Sequence, residues 1–138
     1  MVVELTMSVV FFIALGEAPA APKPEELALL PIEENIISFT NAERTRRGLP
    51  ALAVDPTLVQ SARAHATWMT RNRTLQHTRQ PVAENIAMGQ RNSREAVRDW
   101  MQSSGHRANI LNRGYRRIGA AAYRTPSGTI FWCQQFQN

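Results

Sequence analysis

The apolar residues of this 138-residue chain change their spacing once, and that change limits the fold more than any other feature. In three segments between Pro31 and Met101 they recur at helical intervals. Arg117 to Arg124 and Thr129 to Phe136 are instead strand-like, and Thr125-Pro126-Ser127-Gly128 between them has the chemistry of a turn joining antiparallel strands. Helices first and strands last predict an α+β domain whose helices cover the faces of an antiparallel sheet.

Each helix carries its own punctuation. Pro31 precedes a stripe of Ile32, Ile36, Phe39 and Ala42 or Glu43, and Gly48 supplies a left-handed stop after Arg46 and Arg47, which suit the negative end of the helix dipole. Asp55-Pro56 reads as an N-cap and first-turn proline for a second helix, with Leu58, Ala62, His65, Ala66 and Met69 on its inward face. His65 on that face reads as a structural histidine, hydrogen-bonded within the core. Asn92-x-x-Glu95 resembles a capping box opening a third helix, whose buried stripe is Ala96, Val97, Trp100 and Met101. Ser103-Ser104-Gly105 breaks it, and a short fourth helix is expected from about His106 to Leu111, before Asn112-Arg113-Gly114.

A chain of this length, with 43% hydrophobic residues, fits one domain with a single core. Cys133 is the only cysteine, so no disulfide within the chain can support the fold, and FWCQQF offers no adjacent base to activate the thiol; a small buried side chain is expected. The net charge is +5, and every basic residue except Lys23 is arginine, scattered from Arg44 to Arg124. Scattered arginines read as a solvated surface, and no recognition helix or row of aromatic platforms accompanies them, so nucleic acid is excluded as a partner. Attraction to an anionic envelope polymer or lipid surface needs no shaped site and follows from the charge.

At the N-terminus, Met7 to Leu15 form a short apolar run, and Gly16 to Ala21 follow with the small residues that signal peptidases accept. The run falls short of the about 20 apolar residues of a membrane-spanning helix, so no permanent span is expected. Either Met1 or Met7 could be the start. Ala18 to Glu26 are too rich in proline and charge to pack a core. The expected division is a signal peptide over residues 1–21, a linker over 22–30 and a folded domain over 31–138.

The order of segments, together with Asn41-Ala42-Glu43-Arg44 through Gly48-Leu49-Pro50, Ala83-Glu84-Asn85-Ile86-Ala87 and Gly105-His106-Arg107-Ala108-Asn109-Ile110-Leu111, closely resembles bacterial members of the CAP superfamily, the SCP-like extracellular domains. The likeness runs from about Ile36 to Phe136 and includes Ala64-His65-Ala66 and Phe131-Trp132-Cys133-Gln134-Gln135-Phe136. It implies a three-layer α-β-α sandwich; with the N-terminal export signal, secretion to the envelope or outside the cell is expected, and a monomer. It also implies a cleft of two histidines and two acids, with His77, His106 and Glu84 in three of those positions. Ser103 or a neighbour stands where the second acid would be, so the set is incomplete.

Two neutral imidazoles can bind Zn2+, and the resemblance makes His77 and His106 the metal-ligand candidates; a catalytic zinc usually takes three protein ligands and a water. Glu84 is the candidate general base toward metal-bound water, with His106 beside it as the second catalytic candidate, or Glu84 orients a histidine. Alternatively, His77, Glu84 and His106 hydrogen-bond one another and tie loops to helices. Asn85 reads as a loop residue whose amide satisfies backbone groups, and Asn109 and Gln134 read likewise; Trp100 and Trp132 read as core anchors. Ser103 or Ser104 near His106 is set aside as a nucleophile, because a serine so close in sequence is expected on another side of the turn and no glycine-framed elbow surrounds it.

The incomplete cleft favours a secreted binding module for lipid or another small ligand, whose mark would be an apolar groove or an exposed cluster such as Met88 and Met101. The alternative is a metal-assisted, peptidase-like hydrolase using His77, His106 and Glu84. A third possibility is a structural envelope protein whose arginines hold anionic polymer.

Overall fold

Local signals place the helices. The computed structural model describes residues 27–138, so the expected signal peptide and the linker up to residue 26 lie outside the described residues. Helix α1 (Pro31–Thr45) opens on proline and runs out through Gly48 at φ +74°, a left-handed backbone that glycine adopts without a side-chain clash. Helix α2 (Pro56–Asn72) is capped by Asp55, whose carboxylate accepts from the Thr57 and Leu58 amides at 2.8 and 3.1 Å. Helix α3 (Ser93–Met101) has Asn92 accepting from the Glu95 amide at 2.9 Å, while Glu95 turns to the Arg91 amide instead of closing the box. Helix α4 spans Ser104–Ile110, starting earlier than expected: Ser103 takes the extended N-cap backbone, and Gly105 is accommodated in the first turn.

The strands form a four-stranded sheet of order β1-β3-β4-β2. Strands β3 (Arg117–Arg124) and β4 (Ile130–Gln137) make the expected antiparallel hairpin, turning through Gly128 at φ +97°. Strand β2 (Ala83–Met88) pairs antiparallel with β4, from Ala83 opposite Phe136 to Met88 opposite Phe131, and forms one edge. At the other edge, β1 (Ala53–Val54) runs parallel to β3, which makes the sheet mixed.

Both faces of the sheet are covered, giving the α-β-α sandwich. On one face Ala62, Ala66 and Met69 of α2 pack on Ile86, Ala121, Phe131 and Cys133. On the other, Ile36 and Ile37 of α1, Val97 and Trp100 of α3 and Ile110 of α4 meet Ile118, Ala120, Trp132 and Phe136. Alternate side chains of β3 and β4 therefore serve separate cores, as the two-residue strand period requires. Gly119 is where α2 comes nearest: a Cβ there would lie 2.1 Å from the Leu58 carbonyl carbon.

Arg44 departs from the expectation of solvated arginines. It is 1% exposed, and its guanidinium donates to the carbonyls of Pro50, Ile110, Asn112 and Tyr115. A planar five-donor group can serve several carbonyls that lack partners of their own. Asn41 pairs through both amide atoms with the Leu52 backbone, so the Asn41-to-Arg44 motif latches α1 to the segments that follow it. Met101 is buried at 9% exposure, so Met88 and Met101 do not form an exposed pair.

Candidate functional site

Strand β2 presents Glu84 and Asn85 to opposite faces of the sheet, and both are buried, at 6% and 0% exposure. The polar pair conceals any alternation of apolar residues, so the strand is not legible as one. Asn85 is accordingly a strand residue and not a loop residue, although its amide does satisfy a backbone group, the His106 carbonyl, at 3.0 Å. The same nitrogen donates to Gln134 Oε1 at 2.9 Å, Gln134 donates to Thr40 Oγ1, and Asn109 donates to Asn85 Oδ1. Thr40, Gln134, Asn85 and Asn109 thus form one network joining α1, β4, β2 and α4. Within it each amide partner is satisfied by another, as burial demands.

On the α2 face, both oxygens of Glu84 are engaged. Oε1 accepts from the Thr78 amide at 2.9 Å and from His77 Nδ1 at 2.8 Å; Oε2 accepts from Gln135 Nε2 at 2.9 Å and lies 3.5 Å from the Cys133 thiol. Burial, and then the charge of Glu84, push the Cys133 thiol well above its ordinary pKa, so sulfur stays protonated as the donor. Cys133 is fully buried, as expected. His65 Nε2 stands 4.0 Å from Oε1 and meets the Gln76 carbonyl. The histidine read as structural is therefore bonded to the loop that shapes the cleft.

His106 approaches β2 from the opposite layer, on the first turn of α4. Its Nδ1 is 3.0 Å from Ser103 Oγ, so the serine is within hydrogen-bond reach, contrary to expectation. Ser103 is the N-cap and His106 is the third helical residue, positions that capping geometry brings together. Of the expected mutual bonds among His77, Glu84 and His106, only the His77–Glu84 bond is present; His106 turns to Ser103. Burial, and secondarily the charge of His77, lower the His106 pKa below the ordinary 6.5, so the ring is neutral at pH 7.

His77 meets the carboxylate through Nδ1, and its Nε2 makes no hydrogen bond among the described residues; its side chain is 62% exposed. The donor set for a divalent ion is thus two imidazoles, His77 and His106. Among the described residues no group of three or more His, Cys, Asp or Glu could hold a metal ion. Two imidazoles fall short of the three protein ligands usual for a catalytic zinc.

Beside Glu84 lies an open cleft of about 370 Å³, lined by His65, Trp68, Gln76, His77, Thr78 and Arg79. Trp68 is 41% exposed and stacks on His65, with ring centroids 5.8 Å apart and planes 7° from parallel. Trp68 and Arg79 are absent from the residues the sequence singles out. The signal available was a tryptophan one helical turn beyond His65 yet off the apolar stripe. Trp100 and Trp132 are core residues, at 1% and 0% exposure.

The family model of the cysteine-rich secretory protein (CAP) family matches residues 37–136. The uncharacterized protein YkwD of Bacillus subtilis is 37% identical over 121 residues, covering 75% of this chain and 46% of the relative. The uncharacterized membrane protein YlbC of the same organism is 28% identical over 109 residues, covering 67% of this chain and 32% of the relative. The chain therefore spans less than half the length of these curated relatives. Among solved structures, an SCP-domain extracellular protein of Bacillus anthracis superposes with a TM-score of 0.68 at 26% identity, covering 80% of this chain and 44% of that one. An outer surface protein of Borrelia burgdorferi shares the fold with a TM-score of 0.69 at 21% identity, covering 78% and 94%.

Proposed function

Because the chain belongs to the cysteine-rich secretory protein (CAP) family, we propose that it is a secreted module that binds a ligand in the cleft beside Glu84 and performs no hydrolysis there. The observation that carries this reading is the engagement of Glu84. Its oxygens hold the Thr78 amide, His77 and Gln135, and the residue is 6% exposed. A general base must offer a free lone pair within hydrogen-bond reach of the water it activates. Glu84 acts instead as the post around which residues 76–78 are wrapped. Secretion accords with the extracellular relative, and among the described residues no helix is long and apolar enough to cross a membrane.

The test is hydrolysis of generic peptide and ester substrates by the purified protein, with and without added zinc, beside Glu84→Gln. No turnover is expected. Turnover lost in a Glu84→Gln protein with a native circular dichroism spectrum would overturn the reading in favour of the metal-assisted hydrolase.

A loosely held divalent ion is a second element of this reading, favoured by the exposed His77 ring, whose Nε2 makes no hydrogen bond among the described residues, and by the lowered pKa of His106. Such an ion would supply Lewis acidity or join a ligand to the two histidines. Calorimetric zinc titration should show weak, saturable binding that a His77→Ala/His106→Ala double variant lacks. Unchanged binding in the variant would place the ion elsewhere.

A further inference from the structure

The cleft beside Glu84 continues past Trp68. A second hollow of about 400 Å³ shares His65, Trp68 and Thr78 with the first and adds Ser61, Ala64 and Gln80. The two make one groove between α2 and the 76–80 segment, with the exposed Trp68 indole at its middle. Around the exposed Trp68 the lining brings together Gln76, Gln80, Ser61, Thr78 and Arg79. No acidic side chain lines either half. Arg79 is exposed and makes no ion pair among the described residues.

These groups select a chemistry. An acyl chain requires continuous apolar walls, and here polar side chains stand on both sides of a single indole. A sugar ring presents a face of C–H groups to an aromatic plane and a rim of hydroxyls to amides and hydroxyls, which is the complement of this lining. Arg79, without an ion pair among the described residues and with only the buried, fully engaged Glu84 carboxylate behind the lining, adds preference for an anionic substituent. We propose that the groove binds an acidic oligosaccharide, one sugar ring resting on Trp68 and a neighbouring carboxylate meeting Arg79, with further rings extending along both halves. The inference rests on the binding-module reading and names its ligand class.

The experiment is calorimetric titration of the protein with hexagalacturonate and with a hyaluronate hexamer, followed in parallel by tryptophan fluorescence. The fully methyl-esterified galacturonate hexamer, with the same rings and no charge, is the control. Saturable binding of at least one acidic hexamer is expected. Esterification and Arg79→Gln should each weaken it about tenfold, and Trp68→Ala should weaken it by more while Trp68→Tyr retains it. Thermal melts of each variant verify that the fold persists. Binding unaffected by Trp68→Ala, or equal for acid and ester, overturns the inference. Binding of palmitate alone, lost in Trp68→Ala, overturns the glycan class and keeps the module. Cleavage of a bound hexamer that Glu84→Gln abolishes keeps the glycan and overturns the module. No binding of any probe overturns both.

Discussion

Replacing Gly119 with alanine should damage this fold more than the same change at any other glycine among the described residues. The new Cβ would lie 2.1 Å from the Leu58 carbonyl carbon, 2.3 Å from the Val59 nitrogen and 2.4 Å from the Leu58 oxygen. All three are backbone atoms of the first turn of α2, so no rotamer change relieves the clash. Ordinary carbon contacts need about 3.5 Å, which means α2 must retreat from the sheet by more than about 1 Å. The retreat would loosen Ala62, Ala66 and Met69 from Ile86, Ala121, Phe131 and Cys133, the core of that face. Overpacking in cores costs about 1–3 kcal/mol, and a backbone-on-backbone clash that opens a second core belongs at or above the top of that range. Gly105→Ala is the matched control, since its Cβ meets nothing within 4 Å and lies in α4, where alanine should be neutral or stabilising by up to about 1 kcal/mol. Urea unfolding, followed by circular dichroism and by the fluorescence of buried Trp100 and Trp132, measures both. A Gly119→Ala protein within 1 kcal/mol of the parent would refute the close approach of α2 to β3.

Other expectations follow from the buried polar groups. Arg44→Met should cost at least about 3 kcal/mol by stripping buried carbonyls of their donor, and Arg44→Lys should recover little, because one ammonium cannot reach the carbonyls of Pro50, Ile110, Asn112 and Tyr115 together; denaturant titration of both variants decides. His106 has its folded pKa below 6.5, so as pH falls from 6.5 towards that folded value the unfolded chain binds more protons and stability declines. An NMR titration of the His106 ring should give a midpoint below 6.5, and His106→Gln should reduce the loss of stability between pH 7.5 and 5.5; a midpoint at or above 6.5 contradicts the assigned burial. Cys133 should resist iodoacetamide in the native protein and react on unfolding, because burial and Glu84 hold it as the thiol. Rapid native labelling, read by mass spectrometry, would place Cys133 outside the core.

The CAP motifs make structural sense residue by residue. Asn41 and Arg44 latch α1 to later segments, while Asn85, Asn109 and Gln134 satisfy one another across the sheet. Glu84 ties β2 to the cleft loop. Much of the motif set is therefore accounted for by buried hydrogen bonding, and the groove lined by Trp68 and Arg79 draws on residues beyond it.

By itself the sequence determined the helices, the terminal hairpin and the layered class, because caps, prolines, glycines and apolar spacing act over a few residues. The Asp55 cap and the turn through Gly128 needed no distant partner to be legible. It also determined that Cys133 and the two core tryptophans would be buried. Only the tertiary structure decided the fate of the polar residues. Strand β2 was hidden because Glu84 and Asn85 are both buried, and their partners, Thr78, Gln135, Gln134 and Asn109, are assembled from three other segments. The same holds for Arg44, read as a surface charge until four carbonyls surrounded it, and for Trp68, whose exposure depends on where the 76–80 segment passes. A hydrogen bond or a groove wall is a relation between positions far apart in the chain, and local spacing carries no record of it.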